Sequence, residues 1–247
     1  MSKNIFQIVY ISEKDNPNEF HFLFKEEALS MRSLGILVDT RPLKDSTKLM
    51  YRGATIFKKE NYPNDHRYIN LPENCIPYLY LSKYYPLIDN LSIETFFTDK
   101  LNKSVINEIN IRGWEKAFIK KDVSSLEHIM YGKSIWPKTS FKEMINLYKQ
   151  DFIKGKYCIR KFIDSQKIIN EEERYWVLNG NIYHRKNKIP KVVKEAAKRL
   201  NKLGSKYYTI DATPDFVIEV NPGESSDRHA VNSAELFASW IKKEFVK

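Results

Sequence analysis

The run Tyr208-Thr209-Ile210-Asp211-Ala212-Thr213-Pro214-Asp215-Phe216-Val217-Ile218-Glu219-Val220-Asn221-Pro222-Gly223 decides how this chain is read. Polar and apolar residues alternate on either side of Thr213-Pro214-Asp215, so the run predicts a hairpin with strands over Tyr207–Ala212 and Phe216–Val220. Successive side chains of a strand point to opposite faces, which puts Glu219 and Asn221 together and Val220 away from them. Asp211, on the partner strand, can reach the same face across a tight hairpin. Two carboxylates and an amide oxygen converging at a strand end form a hard, all-oxygen set suited to Mg²⁺, and through it to nucleotide phosphates. Asn221 supplies an oxygen without a third negative charge that would repel those phosphates. On spacing alone the same residues also describe a solvated strand face closed by an ordinary Asn-Pro-Gly turn.

Outward from this hairpin, the C-terminal half reads as short strands and amphipathic helices. Arg174–Asn179 and Asn181–Arg185 form another hairpin around Asn179-Gly180, a strong turn dipeptide. Lys191–Leu203 is a helix ended by Gly204, and Ser233–Phe245 is the closing helix. Lys116–Ile119 and Tyr157–Ile163 read as strands, and Phe141–Phe152 as a helix with Met144, Ile145, Leu147 and Tyr148 on its apolar face. The N-terminal part has a strand over Asn4–Ile11, a helix over Glu19–Leu34 stopped by Gly35, and strands over Ile36–Asp39 and Lys48–Arg52. Strand, helix, strand implies a small α/β unit with a partly parallel sheet. Asn61–Pro86 holds four prolines and many tyrosines, so it predicts loop with short helical pieces. Ser92–Ile109 predicts a helix. No internal repeat or low-complexity segment stands out.

Composition narrows the class of protein. With 247 residues, 42% of them hydrophobic and 29% charged, the chain can bury a sizeable core as one large domain or two small ones. Its longest apolar runs are too short to span a bilayer. The N-terminus lacks the apolar core and cleavage site of a signal peptide, which leads to an expected cytosolic location. Lys and Arg total 41 against 31 Asp and Glu, a net charge of +10 that favours anionic partners. The lysines are scattered, and no RNP, zinc-finger or helix-turn-helix pattern accompanies them, so plain lysine abundance also accounts for the charge. Cys75 and Cys158 have no metal-type spacing and read as reduced, small hydrophobes. The five histidines are dispersed, which argues against zinc, and no Gly-x-x-x-x-Gly-Lys run marks a P-loop.

In order, these motifs resemble the ATP-grasp family. Asp211, the hairpin, and Val217-Ile218-Glu219-Val220-Asn221-Pro222-Gly223 are similar to the family's metal signature, which implies that Asp211, Glu219 and Asn221 bind Mg²⁺ between the phosphates of ATP. The hairpin is shorter than in many members, since Glu219 follows Asp211 by eight positions. Ala117-Phe118-Ile119-Lys120 resembles the strand whose final lysine contacts the α- and β-phosphates. Strand alternation and the apolar lead-in favour Lys120, with Lys121 the alternative. Cys158-Ile159-Arg160-Lys161-Phe162-Ile163 resembles the hinge strand whose backbone holds adenine, so Arg160, Lys161, Phe162 and Ile163 are expected around the nucleotide. Many members carry acidic residues where this chain has Arg160-Lys161. Glu172 to Gly180, followed by Tyr183-His184-Arg185, resembles the next hairpin of the family, and implies that Arg174 and Arg185 flank the γ-phosphate and the acyl-phosphate. Arg174 taken alone also reads as a partner in an exposed strand salt bridge. Lys120, Arg174 and Arg185 together look like the clade named for two arginines and a lysine, many of whose members are small and peptide-ligase-like.

The resemblance spans roughly residues 112–245. It implies an α/β (α+β) chain: a small N-terminal α/β domain over residues 1–110, then an ATP-grasp domain of two lobes over residues 111–247. The function it implies is an ATP-dependent carboxylate–amine ligase working through an acyl-phosphate, with ATP and Mg²⁺ and with small-molecule or peptide carboxylate and amine substrates. A guanidinium's planar fork suits both carboxylate and phosphate, and preorganised cations stabilise the charge such chemistry builds up. No Ser-His-Asp or Cys-His arrangement offers a protein nucleophile. A phosphotransferase on the same fold, or a basic nucleic-acid-binding module, are the alternatives. Val123–Ser140 is the candidate mobile loop, with Ser124, Ser125, Gly132 and Lys133 as possible phosphate contacts. The loop Gly223–Arg228 is a candidate substrate contact, or else a helix entry capped by Asp227 or Asn232. His184 and His229 are candidates for the site's margin, though each also reads as a surface residue.

Overall fold

In the computed structural model, residues 5–53, 62–63, 65–123, 134–148, 155–186, 188–228 and 232–246 are described. Strand β1 (Phe6–Tyr10) is buried along its whole length and lies between β2 (Leu37–Asp39) and β3 (Lys48–Arg52), parallel to both. Such burial on both faces is why its sequence, Phe-Gln-Ile-Val-Tyr, is nearly continuous in apolar residues. Helix α1 (Phe22–Ser33) turns Phe24, Ala28 and Met31 inward at helical spacing. It starts at Phe22, later than the expected Glu19, because Ser12 bridges Phe20 and Glu13 N donates to Glu19 O at 2.9 Å. The tyrosine-rich middle folds into α2 (Pro72–Leu79) and α3 (Leu81–Ile88), broken at Tyr80, whose backbone is extended.

Ser92–Ile109 is not the expected single helix. Strand β4 (Thr95–Thr98) precedes α4 (Lys103–Ile111), which Asn102 caps by accepting from Ser104 N. The β-branched and aromatic run Thr-Phe-Phe-Thr finds an antiparallel partner in β7 (Tyr157–Lys161), and that pairing outweighs local helix preference. β5 (Lys116–Lys121) and β6 (Ile135–Pro137) complete a four-stranded sheet in the order β4-β7-β5-β6. Part of the candidate loop Val123–Ser140 is thus ordered as β6, an edge strand where Pro137 costs no ladder bond. Ser124, Ser125, Gly132 and Lys133 lie outside the described residues, as does His128. Helices α4 and α5 (Phe141–Tyr148) cover this sheet through Val105, Ile109, Phe141 and Met144. This second sheet therefore takes its first strand, and one of its covering helices, from residues 95–111.

The third sheet has the order β11-β10-β8-β9, with β8 (Glu173–Leu178), β9 (Asn181–Tyr183), β10 (Tyr207–Ala212) and β11 (Val217–Pro222) all antiparallel. The Asn179-Gly180 turn has positive φ at both residues, as a tight hairpin demands. A short helix unread in the sequence, α6 (Ser165–Glu171), is capped by Asp164 and leads into β8. Helix α7 (Lys191–Leu200) packs Val193, Ala196 and Leu200 on one face of this sheet with α3. The other face meets the N-terminal sheet. Trp176 and Tyr207 share a core with Tyr10, Phe24 and Met31, together with Phe237 and Ile241 of α8 (Ala234–Phe245). Ser233 caps α8 by accepting from Leu236 N, so neither Asp227 nor Asn232 is the cap. Cys75 and Cys158 are buried free thiols, and burial pushes Cys158 up to about 12. Among the described residues no helix is long and apolar enough to cross a membrane.

Candidate functional site

Four strands bring a row of charges together. In the ladder Asp211 stands directly opposite Glu219 on one side and Arg174 on the other. Three residues distant in sequence are therefore neighbours on one sheet face. Asn221, two residues beyond Glu219, donates from Nδ2 to Asp211 Oδ2 and to Glu219 Oε2, each at 3.4 Å. The three expected side chains thus converge, with the Asn221 amide nitrogen turned to the two carboxylates. A register shift between Asp211 and Ala212 leaves Ile218 as an extra residue in β11, a bulge the alternation could not reveal.

Each carboxylate holds a cation. Arg174 grips Asp211 through both arms, Nε to Oδ1 at 2.7 Å and Nη2 to Oδ2 at 2.8 Å, and its third nitrogen reaches Asp227 Oδ1 at 2.6 Å. Burial works against the Arg174 charge, but Asp211 and Asp227 more than offset it, so its pKa is raised. Lys120, at the site end of β5, is ion-paired with Glu219 across the gap between two sheets. Burial alone would raise the Glu219 carboxyl; Lys120 beside it, with Arg160 and Asn221, holds it below the usual range instead. Alternation sends Lys121 the other way, its ammonium 3.4 Å from the centre of the Tyr157 ring. Of the two candidate lysines, Lys120 is the one facing the acidic row.

The hinge residues come together as well. Arg160, Lys161, Phe162 and Ile163 line a cavity of about 250 Å³ whose remaining walls are Ile93, Phe118, Ile135, Ile168 and Ile218. Arg160 is buried and donates to Thr95 Oγ1 at 3.3 Å and Ser92 Oγ at 3.4 Å. The shape and apolar lining suit a flat heteroaromatic ring. A second cavity, about 560 Å³, opens on the acidic row, with Arg174, Glu219 and Asn221 in its wall. Arg185 is not brought to the row: its guanidinium is partly exposed and pairs with Glu173 at 3.5 Å. His184 is buried, also beside Glu173, at 3.2 Å. His229 lies outside the described residues.

Asp227 and the loop that carries it gave weaker signals in the sequence. Residues 223–226 are fastened from the N-terminal unit. Arg52 donates from Nη1 to Ser226 O at 2.8 Å and also to Gly223 O, and Gly53 N donates to Glu224 O at 2.6 Å. Asn70 Nδ2 donates to Glu224 Oε1 at 2.8 Å. Glu224 Oε2 has no partner among the described residues, and burial pushes this carboxyl from 4.5 to about 7, more than the Asn70 hydrogen bond restrains it. A carboxyl that holds its proton more tightly folded than unfolded loses stability as pH rises. The contribution is complete below 4.5 and gone above about 7, about 3 kcal/mol in all. Glu224→Gln should flatten this dependence, so that urea midpoints at pH 5 and pH 7.5 nearly coincide. An unchanged slope would place the titration elsewhere.

Two carboxylates and an amide on one face are a donor set that would suit Mg²⁺. Among the described residues no group of three or more His, Cys, Asp and Glu side chains that could hold a metal ion forms.

The sequence matches no protein-family model and no curated protein. Solved structures do resemble the fold. D-cycloserine synthetase DcsG aligns over 97% of this chain and 99% of its own, with TM-score 0.66 and 12% identity. The macrocyclase MdnC from Microcystis aeruginosa MRC, bound with precursor peptide MdnA, aligns over 96% and 99% with TM-score 0.62 and 11% identity. The ATP-grasp ligase PsnB, complexed with a phosphomimetic variant of its minimal precursor, Mg and ADP, aligns over 99% of both chains with TM-score 0.63 and 10% identity. At such identities the likeness speaks for the fold, and the fold is ATP-grasp.

Proposed function

From a chain with the ATP-grasp fold, we propose an ATP-dependent carboxylate–amine ligase that works through an acyl-phosphate and releases ADP and phosphate. One observation carries this reading: Asp211, Glu219 and Asn221 converge on one face with Lys120 and Arg174 paired to them, next to an apolar cavity lined by Arg160 to Ile163. The neighbours' chemistry supports it, since a synthetase, a macrocyclase and a ligase share the fold, and the ligase structure contains Mg and ADP. A peptide or amino acid is the favoured carboxylate. Membership of the clade named for two arginines and a lysine rests here on Lys120 and Arg174, with Arg185 turned to Glu173.

In this reading the adenine enters the apolar cavity and the phosphates extend toward the acidic row. Asp211, Glu219 and Asn221 would hold Mg²⁺, which would supply positive charge to offset that of the phosphates. Lys120 and Arg174 exchange their carboxylate partners for phosphate and acyl-phosphate oxygens as nucleotide and metal arrive. The substrate carboxylate attacks the γ-phosphorus and the bond to the ADP oxygen breaks. The amine then attacks the acyl carbon, and phosphate leaves with the carbonyl oxygen restored. Arg174, gripped on two sides, is preorganised for the charge that builds up in both steps.

The test uses hydroxylamine in place of the amine, with amino acids and dipeptides as carboxylates. A hydroxamate formed together with equal ADP and phosphate is the expected result. AMP and pyrophosphate would mean an acyl-adenylate and overturn the mechanism. ADP accompanied by a stable phosphorylated product would identify a phosphotransferase.

A further inference from the structure

The larger cavity is two-sided. Toward the acidic row its wall is charged, with Arg174 and, at the rim, Asp227. Its apolar lining comes from the N-terminal unit: Leu23 and Phe24 on the first turn of α1, and Leu79 at the end of α2. Phe24 and Leu79 are buried, whereas Leu23 is 64% exposed and its neighbour Phe22 68%. One large apolar side chain, Leu23, thus stands largely in solvent in the wall of a cavity of about 560 Å³ that contains site residues. That is room for an amino acid or the end of a peptide.

Building on the ligase reading, we propose that this cavity selects a substrate with a bulky apolar side chain beside its reacting group, an apolar α-amino acid or a peptide terminus bearing one. The charged wall already holds the complementary pair: Arg174 and Asp227, 2.6 Å apart, match the carboxylate and ammonium of such a zwitterion. On binding, the Asp227 carboxylate takes the ammonium while the Arg174 fork turns to the carboxylate. The side chain then lies against Leu23, Phe24 and Leu79. An acidic side chain there would be desolvated against three apolar groups and would add negative charge near Asp211 and Glu219. A basic one would lose its water against the same wall while Asp227 is already occupied by the ammonium.

Leu23 provides the test, because its exposure makes Leu23→Glu harmless to the core. Binding of Leu-Leu, Glu-Glu and Lys-Lys dipeptides is measured by calorimetry on both proteins, and ADP release is measured separately. The expected result is that Leu-Leu binds the wild type at least about tenfold more tightly than the other two, as apolar pockets discriminate. Leu23→Glu should weaken Leu-Leu about tenfold, with KM for ATP unchanged in any turnover observed. Equal binding of the three dipeptides, no binding at all, or unaltered Leu-Leu binding by Leu23→Glu would overturn the assignment. Selective Leu-Leu binding without ADP release from any dipeptide sustains the cavity and removes the ligase reading, so the two stand or fall separately.

Discussion

Glu219→Gln is expected to lower turnover about a thousandfold while the protein stays folded, and Glu219→Ala to abolish it. The expectation follows from the position of Glu219 between two partners, Lys120 across the sheet gap and Asp211 in the ladder. In the proposed function its charge is one of two carboxylates that would face Mg²⁺. Losing a ligand that brings positive charge to the phosphates costs several kcal/mol in the transition state, and about 4 kcal/mol corresponds to a thousandfold in rate. The glutamine variant keeps the shape and the amide contact and leaves Lys120 a hydrogen-bond partner, so a collapse of the fold should not confuse the measurement. Turnover close to wild type at ordinary magnesium, with a normal melting temperature, would remove Glu219 from the site.

The second large effect concerns stability. Arg52 and Glu27 form an ion pair with side chains 1% and 2% exposed, linked Nη2 to Oε2 at 2.7 Å, with Tyr10 also donating to Glu27 at 2.8 Å. Phe24, Trp176 and Phe237 rings surround the guanidinium, between 5.0 and 5.4 Å from its carbon. Arg52→Ala leaves a buried carboxylate without its cation and two loop carbonyls without their donor. Breaking a buried pair from one side costs about 3–5 kcal/mol. Urea unfolding should show the unfolding free energy falling by that amount, read as a lower midpoint at constant slope. Replacing both members, Arg52→Met with Glu27→Leu, should recover much of the loss, because the stranded charge is then gone. A single-variant loss under about 1 kcal/mol would mean that water reaches the pair.

The acidic row was legible because strand alternation is a local rule. Asp211, Glu219 and Asn221 share a face for the same reason that Val220 does not, and Lys120 separates from Lys121 by the same parity. The hairpins at Asn179-Gly180 and Thr213 to Asp215 announce themselves in two or three residues. What could not be read depends on packing between distant segments. The partner of Arg174 at Asp227 lies 53 positions away, in a loop whose course is set by Arg52 and Asn70. Ile93, Phe118, Ile135 and Ile218 each look like ordinary core, and only the meeting of two sheets turns them into the lining of a cavity. Thr95–Thr98 was too short to outweigh the helical pattern after it, and its pairing with β7 is a contact across some sixty residues. Arg185 followed a motif order that the geometry does not extend to it.

The core shared by the first fifty residues and the last fifteen bears on modularity. Phe24 and Met31 near one end of the chain, Trp176 in the middle, and Phe237 and Ile241 near the other end bury one another, with the Arg52–Glu27 pair among them. A recognition unit bounded by a flexible linker could be exchanged between relatives like a cartridge. Here Phe24, in the wall that would choose the substrate, is seated in the same interior as Trp176 and Tyr207 of the sheet that carries the acidic row. A chimera spliced near residue 110 would cut through that interior. New specificity in this protein is therefore reached by single replacements along the rim of α1, while transplanting the whole N-terminal portion would require the closing helix to be rebuilt with it.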